Sequence, residues 1–189
     1  MQAYLNKLDE HLSTKRADYY ATLQPGLSAE AIAALEKAYN VTLPADLRAL
    51  YQWKNGQQEG TYEAFVNNSM FLSLQHALDT ASELTGMIGT DFEMENWWHP
   101  SWIPLWDNGG GDYICYDTTG VFTGIKGQLI EFWHADNDRD TIAPDLTSFI
   151  NSINQLYATT DKKDFDEYFE VKTPDGYPKG NFAGEPGKR

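Results

Sequence analysis

A single cysteine, Cys115, is all the thiol this 189-residue chain possesses, so no internal disulfide can form and nothing ties it to an oxidising compartment. Set between Ile114 and Tyr116, it reads as a small core hydrophobe. Long hydrophobic runs are missing too. No stretch approaches the roughly 18 apolar residues that a membrane span needs, and Met1 to Lys7 lacks the basic segment and apolar core of a secretory signal. A cytoplasmic protein with no membrane partner is therefore expected. Positive charge is absent from the whole middle of the chain. Between Lys54 and Lys126 there is no Lys or Arg, while Glu59, Glu63, Asp79, Glu83, Asp91, Glu93, Glu95, Asp107, Asp112 and Asp117 all fall there. Overall, 14 basic residues stand against 28 acidic ones, a net charge of −14. Such a span repels phosphate backbones, which argues against direct nucleic-acid binding, and draws in a basic protein partner. The same charge would also serve solubility alone.

What the chain does have is one dense stretch, Trp102 to Asp117, reading WIPLWDNGGGDYICYD. Trp102, Ile103, Leu105 and Trp106 form an apolar run suited to a strand buried on both faces, and Tyr113 to Tyr116 form a second strand. Between them, Asp107, Asn108, Gly109, Gly110, Gly111 and Asp112 supply positive φ and local side-chain bonding, so a hairpin at the centre of a sheet is expected. A triple glycine flanked by carboxylates would also let a ligand approach bare backbone.

Ahead of it, Leu5, Leu8, Leu12, Tyr20 and Leu23 predict one amphipathic helix over the first twenty-odd residues, ended by Pro25-Gly26. Ser28 caps a second helix carrying Ile32, Leu35 and Tyr39, and Pro44 opens a third with Leu47, Leu50 and Tyr51, stopped by Asn55-Gly56. The segment 57–68 reads as a loop containing an edge strand. Met70 to Leu74 predicts a strand leading into a helix through Ala77, Leu78, Ala81, Leu84 and Ile88. The segment 91–100, with Phe92, Trp97, Trp98 and His99, reads as a loop draped on the sheet. Leu129 to Trp133 is a further strand, and Leu146, Phe149, Ile150, Ile153 and Tyr157 mark a closing helix. Helices first, strands in the middle and a helix last describe an α+β domain, with helices covering a mostly antiparallel sheet of about five or six strands. We divide the chain into an N-terminal helix extension (1–24), a domain (25–160), a short C-terminal helix (161–172) and a disordered tail (173–189).

Tests for chemistry are negative. Asp136, Asp138 and Asp140 copy the opening of a calcium loop, but Thr141 and Thr147 stand where that loop needs Gly and Glu. No Cys pair serves zinc, and Gly109 to Gly111 lacks both the Lys-Ser/Thr ending and the following helix of a phosphate loop. There is no nucleophile elbow, although a triad using His99 or His134 stays open. No metal, cofactor or catalytic residue is assigned. Surface recognition remains, with Trp97 and Trp98 the aromatics expected at the surface.

Leu43-Pro44-Ala45-Asp46-Leu47 through Leu50-Tyr51 to Asn55-Gly56 resembles the start of the SUKH superfamily, named for fungal cell-wall assembly regulators and their relatives. Phe71 to Leu74, Trp102-Ile103-Pro104-Leu105, Gly110-Gly111-Asp112, Asp117 and the strand from Gly127 to His134 resemble its later parts in order and spacing. The resemblance spans about 27–157; the first helix, the residues after about 161 and the long insert 91–98 depart from it. It implies a SUKH-like α+β fold without known catalytic residues. For bacterial members it implies immunity proteins that neutralise a cognate toxin of a polymorphic or contact-delivered system, and for fungal members regulatory scaffolds in cell-wall synthesis. The acidic midsection suits the first role, because nuclease toxins are often basic. We therefore expect a non-enzymatic protein-binding module whose partner is a cognate toxin or another protein, met by Asp107, Asp112, Asp117, Glu93, Glu95, Trp97 and Trp98. The alternatives are a regulatory scaffold in wall synthesis or stress signalling, supported by the tail, and a glycan-binding module stacking sugars on Trp97, Trp98 and Trp106.

Overall fold

The computed structural model describes residues 1–161, 165 and 169–184. Among the described residues, six helices accompany a five-stranded antiparallel sheet and a separate two-stranded one. The helices are α1 (Gln2–Lys15), α2 (Ala17–Thr22), α3 (Ala29–Tyr39), α4 (Ala45–Trp53), α5 (Leu74–Gly86) and α6 (Leu146–Thr159). Strands β1 (Leu23–Pro25) and β2 (Lys54–Gln57) pair with each other, and the main sheet runs β3 (Met70–Phe71), β4 (Trp102–Asp107), β5 (Tyr113–Asp117), β6 (Leu129–Phe132) and β7 (Thr141–Ala143) in spatial order. The expected hairpin is β4–β5, and β5 is the middle strand of the five. No helix among the described residues is long and apolar enough to cross a membrane.

Both faces of the main sheet are covered. On one face Trp106 packs against Phe65, Phe71 and Phe149, within a core that takes in Leu5, Leu8 and Leu12 of α1, Leu47 and Leu50 of α4, and Ile150 and Ile153 of α6. On the other, Trp102, Cys115, Ile130 and Phe132 meet Trp98 and Phe122. Alternation explains the division, because Cys115 opposes Ile130 while Ile114 opposes Glu131 and Tyr116 opposes Leu129. The segment 91–98 does drape over the sheet, with the Trp98 ring edge-on to both Trp102 and Phe132.

Several expectations need correction. The first helix is two, because Arg16 leaves helical geometry at φ −136°, ψ 55° and turns its guanidinium inward. There Nη1 donates to the Ala64 carbonyl at 2.8 Å and the charge lies 3.9 Å from the centre of the Tyr19 ring. Helix α1 is tied to the rest of the molecule: Asn154 donates to the Tyr4 carbonyl, while Tyr20 and Trp53 both donate to Asp9. Asn55-Gly56 does not stop α4 but lies within β2. Gly56 has φ 78°, and a Cβ there would come within 2.4 Å of the Ser73 backbone, so close approach to the start of α5 is what requires glycine. Ile88 lies beyond the end of α5 and is exposed.

The tail differs most. Lys179 and Thr141 exchange backbone hydrogen bonds at 2.9 Å, Arg139 N–H donates to the Asn181 carbonyl, and Ala183 N–H donates to that of Asn137. Residues 179–184 thus form a strap along 137–141, the segment that leads into β7, reaching the strand itself at Thr141. Edge strands leave donors and acceptors unpaired, and that demand orders a segment whose own composition has little to bury. The expected disorder is corrected for 173–184, while 185–189 lie outside the described residues. Half of the expected helix at 161–172 lies outside them, and 169–172 are not helical: Phe169 N–H donates to the Asn67 carbonyl in an antiparallel bridge, so the helix is corrected there, while Phe165 and Phe169 are buried against Tyr157.

Candidate protein-binding face

The hairpin tip is built by its own side chains. Asp107 accepts Gly109 N–H at 2.7 Å, Asn108 Oδ1 accepts Gly110 N–H at 2.7 Å, and Asn108 Nδ2 donates to Asp112 at 2.7 Å. Gly109 and Gly111 carry the positive φ, at 76° and 96°; Gly110 does not need it. Asp112 Oδ1 then takes His134 N–H and lies 2.8 Å from the His134 ring nitrogen, joining the tip to the turn after β6. Burial pushes the Asp112 carboxyl up, but the His134 and Asn108 hydrogen bonds outweigh it and hold it below the usual range. Burial raises the Asp107 carboxyl against the pull of Gly109.

A second device gathers more acid at the same end of the sheet. Arg139 is fully buried, yet no carboxylate is bonded to it among the described residues. Its guanidinium donates to four main-chain carbonyls: Trp97 at 2.8 Å through Nη2, Trp133 at 3.2 Å, Asp136 at 2.8 Å, and Asp138. It also sits 4.6 Å from the Phe132 ring centre and 4.9 Å from that of Trp97. Burial lowers its pKa to about 10, which leaves it charged at neutral pH. One cation thereby fixes the loop carrying Glu93 and Glu95 and the loop carrying Asp136 and Asp138. The strap joins them, since Gly184 N–H donates to the Glu95 carbonyl.

Between the tip and the end of β6 lies a cleft of about 250 Å³, with Asp112, Tyr113, Glu131, Trp133, Asn68 and Glu170 among its lining. Glu131 opposes Ile114 across β5 and β6 and lines this cleft. Burial, with Asp140 next to it, pushes its carboxyl up to about 7. Asp140 is itself raised by burial and by Asp138.

The structure brings together some of the expected site residues and removes others. Asp107 and Asp112 share the tip, and Glu93 and Glu95 are exposed on the loop that Arg139 anchors. Among the described residues the ion pairs are Arg48–Glu36 and His134–Asp112, so Asp107, Glu93, Glu95 and Glu131 have no Lys or Arg partner. Asp117 is corrected. It is 0% exposed at the far end of β5, and it accepts Ser101 Oγ at 2.9 Å, Thr119 N–H at 3.0 Å, Gly120 N–H at 3.1 Å and Gln128 Nε2 at 2.8 Å. Its role is to hold the 118–128 connection. Trp98 is likewise corrected, being buried between Trp102 and Phe132, while Trp97 is half-buried beneath Arg139. With Trp106 also buried, the three rings proposed for glycan stacking form no platform. The exposed indole is Trp133.

Nor do His99, Ser101 and Asp117 form a nucleophile site. Ser101 Oγ sits between the other two, 2.7 Å from His99 Nδ1, with its proton directed to Asp117, whereas a charge-activated hydroxyl needs the histidine in the middle. Cys115 is buried in mid-strand, which pushes its thiol well up. Among the described residues no group of three or more His, Cys, Asp and Glu could hold a metal ion.

Sequence reasoning missed Arg139 and Glu131. A lone base inside Asp136 to Asp140 was the available signal for the first, and a carboxylate between Ile130 and Phe132 for the second. Comparison with known proteins gives one family match: the model described as SMI1 / KNR4 family (SUKH-1) matches residues 26–152. No curated protein matches the chain.

Proposed function

The chain belongs to the SMI1/KNR4 family (SUKH-1), whose members are generally non-catalytic immunity or regulatory proteins, and from that premise we propose that it is an immunity protein. It binds a cognate toxin with a basic surface and occludes it through the carboxylates gathered at the hairpin end of the sheet, with no bond-making of its own. The observation that carries this reading is the combination at that end: Asp107, Asp112, Glu93 and Glu95 lie on segments locked by the tip hydrogen bonds and by Arg139, and no lysine or arginine among the described residues neutralises them. A preorganised anionic surface speeds encounter with a basic partner and rejects acidic ones. The scaffold alternative loses its supporting feature, because the described part of the tail is docked.

The test is co-expression with the toxin encoded beside it, followed by affinity measurement on the purified pair. Wild-type protein protects growth and binds; the combined Glu93→Gln, Glu95→Gln, Asp107→Asn, Asp112→Asn variant, which leaves Asp117 intact, loses at least tenfold in affinity. Unchanged affinity in that variant would remove the face from consideration.

A further inference from the structure

We propose that the cleft between the hairpin tip and Trp133 is a socket for an arginine side chain of the protein partner. The inference rests on the protein-binding reading above and narrows the chemistry of what binds. At about 250 Å³ the cleft falls below the roughly 300 to 1,000 Å³ of small-ligand pockets, and its size suits one long side chain. Its carboxylates come from three separated segments: Asp112 at the tip, Glu131 on β6 and Glu170 beyond α6. None has a Lys or Arg partner among the described residues. The aromatic wall is independent of the charge. Trp133 is 37% exposed although its neighbours Phe132 and Tyr113 are packed, and an exposed indole beside carboxylates presents a face on which a guanidinium can stack. Arginine fits this combination better than lysine, because a planar fork can bond two carboxylate oxygens while its flat face lies on a ring; an ammonium can satisfy only the charge.

Glu131 supplies a signature. The titratable groups around it are Asp140 on the β7 side, Asp112 with His134 at the tip, Tyr113 on β5 and Glu170 across the cleft. With its carboxyl titrating at about 7, the socket gains negative charge as pH rises through neutrality. An entering cation draws that proton off, so affinity rises with pH and binding releases protons to the buffer.

The experiment titrates the full chain at low salt with a blocked pentapeptide bearing one central arginine between glycines, following the backbone amide resonance of Tyr113, a cleft residue that the wild type and both variants share. A saturable shift is expected for the arginine peptide, at least threefold weaker for its lysine counterpart and absent for citrulline. Glu131→Gln and Trp133→Ala each lower the affinity about tenfold, and in the wild type it is higher at pH 8 than at pH 6. Equal response to arginine and lysine, or a shift that survives both substitutions, would overturn the socket. Saturation of the same resonance by calcium chloride in place of the peptide would reassign the cleft to a metal ion and also overturn it. Retained binding of the toxin by the wild type alongside failed peptide titrations removes the socket only; the protein-binding proposal falls separately, on the four-residue variant.

Discussion

Two carboxylates show how little a residue's identity says of its task. Asp117 and Glu131 both lie on strands of the main sheet, but one is saturated with donors and the other has no side-chain hydrogen bond among the described residues. Asp117→Asn keeps the shape and loses the charge-assisted bonds, so we expect a loss of about 2 to 3 kcal/mol in urea denaturation, against less than about 0.5 for Glu95→Gln. Glu131 works in the opposite direction. Its folded pKa is raised from 4.5 to about 7, so the native state keeps a proton that the unfolded chain has released, and stability falls as pH rises through that window. Glu131→Gln should therefore stabilise the protein at about pH 8, by at most about 3 kcal/mol, with little difference near pH 4. Denaturation curves at the two pH values check both size and sign. Taken with the titration above, a variant that grows more stable while losing its ligand would be the mark of a residue kept for binding. Asp117 was legible as part of the hairpin, but spacing alone could not show that it faces inward, because at a strand end the connection that follows decides whether donors or water receive it.

At the level of elements, the hairpin and helices α3, α4, α5 and α6 were readable because each carries its own instruction: a strand pattern with a glycine turn, a cap, or a three-four apolar stripe. Ser28 and Ser73 cap as their side chains permit, accepting the N–H groups of Ala31 and His76. What was not readable depended on partners distant in the chain. Strand β2 exists because β1 lies beside it, the break at Arg16 because the Ala64 carbonyl awaits the guanidinium, and the strap because β7 offers an open edge. Arg139 is the strongest of these long-range devices. Arg139→Met would leave four carbonyls without their donor, and each of them that stays buried and unpaired costs about 1 to 3 kcal/mol. Hydrogen exchange should speed first in 91–98, 133–138 and the strap, with the β4–β5 amides protected until global unfolding. Uniform loss of protection would show that these segments are not a separate unit.

For the molecule as a whole, charge sets the conditions under which association is measured. With −14 overall, and with Glu93, Glu95, Asp107 and Asp112 at the hairpin end of the sheet, the rate of binding to a basic protein should fall at least tenfold between about 0.05 and 0.5 M salt, while dissociation changes far less. Stopped-flow traces at several ionic strengths test this; a flat association rate would mean that long-range attraction plays no part. The aromatic clusters are kept apart from the carboxylates of the candidate face, since the clusters lie against the sheet's two faces while Asp107 and Asp112 sit at its hairpin tip. The grip of Arg139 adds one more separation. A guanidinium whose hydrogen bonds all go to peptide oxygens makes none to a side chain at positions 133, 136 and 138, and every amino acid offers the same oxygen there. The outward groups on that loop can be exchanged for others, acid for base or small for large, while its course stays put, which would let new specificities be tried on an unchanged frame.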